Sequence, residues 1–244
     1  MLPLCYPRSA VAQSADPCHE QPARPSAADG RPGPRPVPES EIAAGPMTLA
    51  LTFDDGPSPL YTPRVLAVLR RHGVRATFFV LGVNVEKYPD VVRQIVADGH
   101  TLGNHTWSHP KLEKLSTTAV RRQITRTNEA VARVHGGRSP SLFRAPYGHF
   151  TPAALTICAD LAMRPFCWSI DPRDWSNPGA AHISATVLDQ ARTGAVVLHH
   201  DGVLSRHTYP EYEGRANRTQ TIEALKAYLP RLLDRGFRFT TLAA

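Results

Sequence analysis

Long apolar runs, clustered cysteines and a concentrated basic stripe are all missing from this 244-residue chain. A membrane-spanning helix needs about 20 consecutive apolar residues. The sequence holds no such run, so no membrane span is expected. The four cysteines, Cys5, Cys18, Cys158 and Cys167, show no CxxC or other ligand spacing. That argues against a disulfide framework or a thiolate metal site, and favours a reducing compartment. Cys158 and Cys167 fall in apolar stretches, where cysteine packs as a small hydrophobe. The net charge of +7 raises nucleic acid as a partner, but the basic residues are scattered, with only short pairs such as Arg70-Arg71 and Arg121-Arg122. Those pairs sit on helical patterns as solvated faces, so no nucleic-acid binding is expected. Export signals are also weak. The first apolar stretch is short, broken by Pro3 and Pro7, and preceded by no basic residue. A cytoplasmic location is expected, with secretion as the alternative because Ser9 to Ala15 resembles a cleavage region.

What is present divides into two textures. Residues 1–45 are rich in Pro, Ala, Ser and Gly, with Pro32, Pro34, Pro36 and Pro38 alternating. Such a segment buries too little apolar surface to offset the entropy of ordering, and reads as a disordered tail. Residues 46–244 read as one catalytic domain in which strand-like and helix-like segments alternate. Apolar or β-branched runs at 47–53, 76–81, 100–104, 142–144, 164–170, 195–200 and 237–242 predict strands. Helices are predicted between them. Thr62-Pro63, Ser116-Thr117 and Thr151-Pro152 serve as starts, and Gly73, Gly99, Gly136 and Gly236 as stops. Strands alternating with helices of about ten or more residues imply parallel βαβ units.

Chemistry-bearing residues collect at the downstream ends of the predicted strands: Asp54-Asp55, Asn104-His105, Arg144, Asp171 with Asp174, and His200. Contributions from several strand ends point to a distorted (β/α) barrel with about seven parallel strands rather than an open sheet, which gathers its site at one switch point. His105 and His109 are spaced i, i+4, which predicts both imidazoles on one face of a single helical turn, limited to one turn by Pro110. With a carboxylate from another strand end they would make a shell of two histidines and one aspartate with open positions, suited to catalytic zinc or a similar divalent ion. Asp54 and Asp55 would point to opposite faces of a regular strand. Gly56-Pro57 breaks that strand and allows both carboxylates to turn toward one centre, although Asp-Gly-Pro is also ordinary turn chemistry.

The strings Thr52-Phe53-Asp54-Asp55-Gly56-Pro57, His105-Thr106-Trp107-Ser108-His109, Arg144-Ala145-Pro146-Tyr147, Asp171-Pro172-Arg173-Asp174-Trp175 and Leu198-His199-His200 occur in this order. Together they resemble the five motifs of the NodB-type polysaccharide deacetylases (carbohydrate esterase family 4). The resemblance covers residues 47–242, and Trp168 to Ser176 is most similar to members acting on chitooligosaccharides. It implies a metal held by Asp55, His105 and His109, most simply Zn2+, with Co2+ or another divalent ion as alternatives. It implies Asp54 as general base, Arg144 as the partner that orients Asp54, and the backbone N–H of Tyr147 as an oxyanion donor. His200 would protonate the leaving amine, with Asp174 orienting it. Leu198 and Trp175 would enclose the acetyl methyl group. Strand alternation puts His200 with Leu198 on one face and His199 on the other, as a packing or surface residue. Trp107 fits either the cleft or packing.

The resemblance makes an N-acetylated oligo- or polysaccharide the expected partner. Chitooligosaccharide comes first, then a cell-wall polymer (chitin or peptidoglycan), then acetylated xylan. A binding module without catalysis is the reading of a different class, and the complete set of titratable residues argues against it. The longest strand-to-helix connection, about residues 200–217, carries Tyr209 and Tyr212 as candidate sugar contacts.

Overall fold

The computed structural model describes residues 35–202 and 217–242. Tyr209, Tyr212 and most of the expected tail lie outside the described residues. Seven parallel strands form one sheet: β1 (Thr48–Asp54), β2 (Thr77–Val80), β3 (Thr101–Asn104), β4 (Leu142–Phe143), β5 (Arg164–Pro165), β6 (Val196–His200) and β7 (Arg238–Thr240). Their order is β5-β4-β3-β2-β1-β6, with β7 paired to the start of β1. A single bridge between Ile170 and Val197 brings the far ends together. The result is the expected distorted (β/α) barrel.

β1 shows how the sequence makes two layers. Leu49, Leu51 and Phe53 are fully buried in the shell between sheet and helices, whereas Ala50 belongs to an inner cluster with Phe79, Leu142, Phe166, Val196 and Leu242. Successive side chains of a strand face opposite ways, so Thr52 and Asp54 share the inner face with Ala50. The outer shell is closed by α1 (Thr62–Arg71), which buries Val65, Leu66 and Leu69. Behind it lies α7 (Thr219–Asp234), which buries Ile222, Leu225, Tyr228, Leu229 and Leu232. Truncating a fully buried phenylalanine such as Phe53 to alanine costs about 3–5 kcal/mol. Cys158 and Cys167 are buried and free, and burial pushes the Cys158 thiol up to about 12.

The remaining helices are α2 (Gly82–Lys87), α3 (Pro89–Ala97), α4 (Thr117–Val134), α5 (Pro152–Asp160) and α6 (Ala180–Gln190). Two of the expected caps form: Ser116 and Thr151 each accept a backbone N–H from the third residue beyond. Thr62 is not the cap of α1, which starts after Tyr61 without a side-chain cap. Its hydroxyl is used elsewhere, as described below. No helix was expected at α2. No described helix is long and apolar enough to cross a membrane.

Two differences meet at the downstream end of β5. β5 was expected to run to Ile170 but stops at Pro165. Beyond it, the carbonyls of Phe166 and Cys167 accept hydrogen bonds from the Arg144 guanidinium at 3.2 and 2.7 Å, instead of from a neighbouring strand. On the other side, Glu39 inserts as a short bridge, donating its N–H to the Pro165 carbonyl and accepting from the Cys167 N–H. Glu39 pairs with Arg164 at 2.7 Å, Glu41 pairs with Arg192 at 2.6 Å, and Ile42 donates its N–H to Gly194. A stretch grouped by composition with the tail is therefore bonded into the gap between β5 and β6.

Candidate active site

The inner face of β1 ends in Asp54, and the chain then turns through Asp55 with φ of 72°. A left-handed backbone is costly for a residue with a Cβ and collects at functional sites. Here it defeats strand alternation, so that adjacent carboxylates converge. His105 and His109 converge by the same device. Residues 105–109 form no helical turn, contrary to expectation. Positive φ at Thr106 (73°) and His109 (59°) folds the loop instead. Asn104 holds that loop by accepting the Thr106 N–H at 2.7 Å, and Gln123 accepts the N–H groups of Trp107 and Ser108.

Asp55, His105 and His109 each present a ligand atom within 4.8 Å of the others, and all three residues are buried. Asp55 Oδ1 lies 3.6 Å from His105 Nε2 and 3.5 Å from His109 Nε2. Those separations are too long for hydrogen bonds, and Oδ1 has no hydrogen-bond partner among the described residues. They are close to the roughly 3.4 Å edge that bonds of about 2.0–2.1 Å make in a tetrahedral zinc shell. The protonation states also suit ligands. His105 Nδ1 stands 2.8 Å from the Arg144 carbonyl, which can only accept, so Nδ1 donates there and Nε2 is the nitrogen turned toward Asp55. Burial lowers the His109 pKa to about 3, and nearby His105 and His200 push the same way against Asp55. Burial alone would raise Asp55, but His109, His200, His105 and Arg218 outweigh it and hold the carboxyl below its usual range. The residues present therefore fit one divalent ion.

Asp54 lies beside this set. Its Oδ2 is 3.7 Å from His105 Nε2, and its Oδ1 accepts from Arg144 Nη1 at 2.8 Å. Arg144 is completely buried, with its guanidinium bonded to Asp54, Thr52 and two carbonyls and packed over the Phe79 ring at 4.1 Å. Its orientation is overdetermined, and Asp54 inherits that rigidity.

Beside β1, its neighbour β6 pairs so that His200 is opposite Asp54 and Leu198 opposite Thr52. His200 Nδ1 bonds Asp174 Oδ1 at 2.7 Å, while Asp174 Oδ2 accepts from the His200 N–H at 2.9 Å and from Thr221 at 2.8 Å. Burial alone would lower the His200 pKa, but the charge and hydrogen bond of Asp174, aided by Asp55, raise it to about 9. Asp174 is held well below the usual carboxylate range: burial opposes this, but His200 and His199 prevail. His199 faces outward as expected, buried between Phe53 and Tyr228 and 2.8 Å from the tyrosine hydroxyl.

Tyr147 follows β4 with φ of 60°, its ring edge-on to His109 at 4.6 Å. Leu198 is buried on the inner face of β6, and Trp175 is half-buried on the 3-10 turn Asp174–Ser176, under Arg173. Trp107 belongs to packing. Arg126 lies over its ring at 3.5 Å, and a Cβ on Gly82 would overlap it. Asp171 accepts the Arg173 N–H at 2.7 Å and closes a local turn.

Several residues at the site were not singled out from the sequence. Asn84 donates to the Asp55 carbonyl at 2.8 Å, and Thr221 bonds Asp174. Asp201 is fully buried and takes the Thr62 hydroxyl. Burial pushes its carboxyl up to about 7, with Asp55 and Asp54 adding to the effect against Thr62. Only Asp201 carried a signal, as an acid directly after the His199-His200 pair.

Residues 42–166 match the family described as polysaccharide deacetylase. A chitooligosaccharide deacetylase of Rhizobium leguminosarum bv. trifolii is 42% identical over 210 residues, covering 84% of this chain and 95% of that protein. A peptidoglycan-N-acetylglucosamine deacetylase of Bacillus cereus is 38% identical over 194 residues, covering 80% of this chain and 66% of that protein. The crystal structure of a peptidoglycan N-acetylglucosamine deacetylase superposes with a TM-score of 0.76 at 36% identity, covering 84% of this chain and 90% of that one.

Proposed function

The chain belongs to the polysaccharide deacetylase family, and from that premise we propose that it removes acetyl groups from N-acetylglucosamine residues of chitooligosaccharides with one divalent ion. It is a hydrolase, a polysaccharide N-deacetylase. The observation that carries the metal-dependent reading is the buried Asp55–His105–His109 set, with a carboxylate oxygen that has no hydrogen-bond partner among the described residues. The catalytic domain on this reading begins by Glu39, somewhat before the composition change at residue 46.

Asp55, His105 and His109 would hold the ion. The chemistry such an ion would supply is that of a Lewis acid, lowering the pKa of a nearby water toward ~7 and polarising the acetyl carbonyl. Asp54 takes the attacking water's proton as general base, held in aim by Arg144. The Tyr147 N–H, set by its left-handed backbone, serves as the oxyanion donor. Such a donor contributes about 2.7–4 kcal/mol. His200 carries the proton for the leaving amine. Asp174 fixes the tautomer by occupying Nδ1, so that Nε2 is the atom that delivers it. Leu198 and Trp175 form the apolar side of the acetyl pocket.

The peptidoglycan deacetylases among the relatives favour a second reading, the same chemistry on a cell-wall polymer. Acetate release from N-acetylglucosamine oligomers of defined length, with added zinc, separates the two. Release from short oligomers supports the first, and release only from peptidoglycan supports the second. Asp54→Asn should keep the metal and lose about 10²–10⁴-fold in turnover, whereas His105→Ala should lose both. Near-normal rates in Asp54→Asn would remove Asp54 as the base.

A further inference from the structure

The two halves of the site, the Asp54–Asp55 turn and the His200 strand end, are joined by a third carboxylate that the mechanism does not use. Asp201 directly follows His200. Its N–H and that of Gly202 both donate to the Asp54 carbonyl, at 3.2 and 3.3 Å. Its side chain then reaches under the same turn. A Cβ on Gly56 would fall 2.5 Å from Asp201 Oδ1, so the carboxylate lies flat against the glycine that follows Asp55. Asp201 Oδ2 accepts the Thr62 hydroxyl, and Thr62 Oγ1 in turn accepts the Ser58 N–H at 2.8 Å. The turn is gripped at residue 54 by backbone bonds, at residue 56 by contact, and at residue 58 through Thr62. On its other side it is held by Asn84 to the Asp55 carbonyl and by the Leu81 N–H to the Gly56 carbonyl. Asp55 sits between these two supports in a left-handed conformation that local sequence does not favour.

We infer that Asp201, acting through Thr62, is a positioning residue: it locks the turn bearing the base and the carboxylate ligand to the strand end bearing the acid. Thr62 is placed for this task at the start of α1, which explains why its hydroxyl does not cap that helix. The inference rests on the proposed metal-dependent reading.

The test uses the full-length chain freed of metal, with zinc affinity measured by competition with a chelator in the absence of substrate, and kcat and KM measured separately. Supporting groups around metal ligands are typically worth 10–100-fold in metal affinity or activity. Asp201→Ala and Thr62→Val should each weaken zinc binding and lower kcat by about that factor, with KM little changed. Thr62→Ser should restore both. The double variant should be no worse than either single one, because residues of one network do not add. Native zinc affinity and kcat in a folded Asp201→Ala or Thr62→Val variant, or losses that add in the double variant, would overturn the positioning role. If Asp201→Ala does not fold, the Thr62→Val and Thr62→Ser pair decides. A native chain that binds no zinc would instead overturn the metal-dependent reading, and this role with it.

Discussion

Replacing Asp174 by asparagine preserves the shape of the residue and removes the charge on which His200 depends. In the native chain burial pushes the His200 pKa down, while Asp174, by charge and hydrogen bond and with help from Asp55, brings the net value up to about 9. Without that carboxylate, burial and Arg218 act almost unopposed, and the pKa should fall to the ordinary histidine value of about 6.5 or below. A fall from about 9 to about 6.5 is ~3.4 kcal/mol less preference for the imidazolium. At pH 8 the protonated fraction of the free enzyme would drop from ~0.9 to ~0.03, so kcat/KM should fall about thirtyfold from the loss of the acid form alone. The assay is the pH profile of kcat/KM for acetate release. The alkaline limb, near pH 9 in the native chain, should move below pH 7 in the variant. Stability should follow the same pair. His200 has a raised folded-state pKa, so its contribution is complete below about pH 6.5 and is lost as the pH rises through about 9. Asp174 has a depressed one, so its contribution is present above about pH 3.9 and is lost as the pH falls through its lowered value. The difference in urea-unfolding free energy between the two chains should be largest between about pH 4 and 6.5 and should shrink as the pH rises through about 9, where the His200 part is lost. An alkaline limb that stays in place in Asp174→Asn would refute the assignment of His200 as an acid supported by Asp174.

Arg144→Met should destabilise the fold by about 3–5 kcal/mol in urea unfolding, since it leaves the buried Asp54 carboxylate without its cation. Arg144→Lys should recover only part of that loss, because one ammonium cannot reach Thr52, Asp54 and two carbonyls together. Gly82→Ala forces a methyl group against Trp107 and Thr127, and the loop carrying His105 and His109 must shift. A loss of about 1–3 kcal/mol is expected, with altered tryptophan fluorescence and weaker zinc binding.

Much of the site was legible because its residues are chemically unusual for where they stand. Asp54 at the end of an apolar strand, two histidines four residues apart, and Arg144 after Phe143 conflict with ordinary burial preferences unless they meet. The strands were legible from their apolar, β-branched runs, because a sheet covered on both faces needs both faces apolar. What failed to show has physical reasons. Positive φ at Asp55, Thr106, His109 and Tyr147 is not signalled by glycine, so neither the convergence of Asp55 nor the non-helical path to His109 follows from local preference. β5 looked longer because Phe166, Cys167 and Ile170 are apolar, while the Arg144 side chain that takes the carbonyls of Phe166 and Cys167 comes from another strand end. Thr62-Pro63 carries a cap signature, yet tertiary structure gives the hydroxyl to Asp201. Glu39 and Glu41 sit in a proline-rich context, and only Arg164 and Arg192 on distant elements reveal why they are ordered.

The most direct test of the metal-dependent deacetylase reading is a titration of the chelator-treated chain with zinc, following acetate release from an N-acetylglucosamine oligomer. Release should be absent at the start, rise linearly, and level off at one zinc per chain, and His105→Ala should stay inactive throughout. Undiminished release from the metal-free chain, or from His105→Ala, would contradict it.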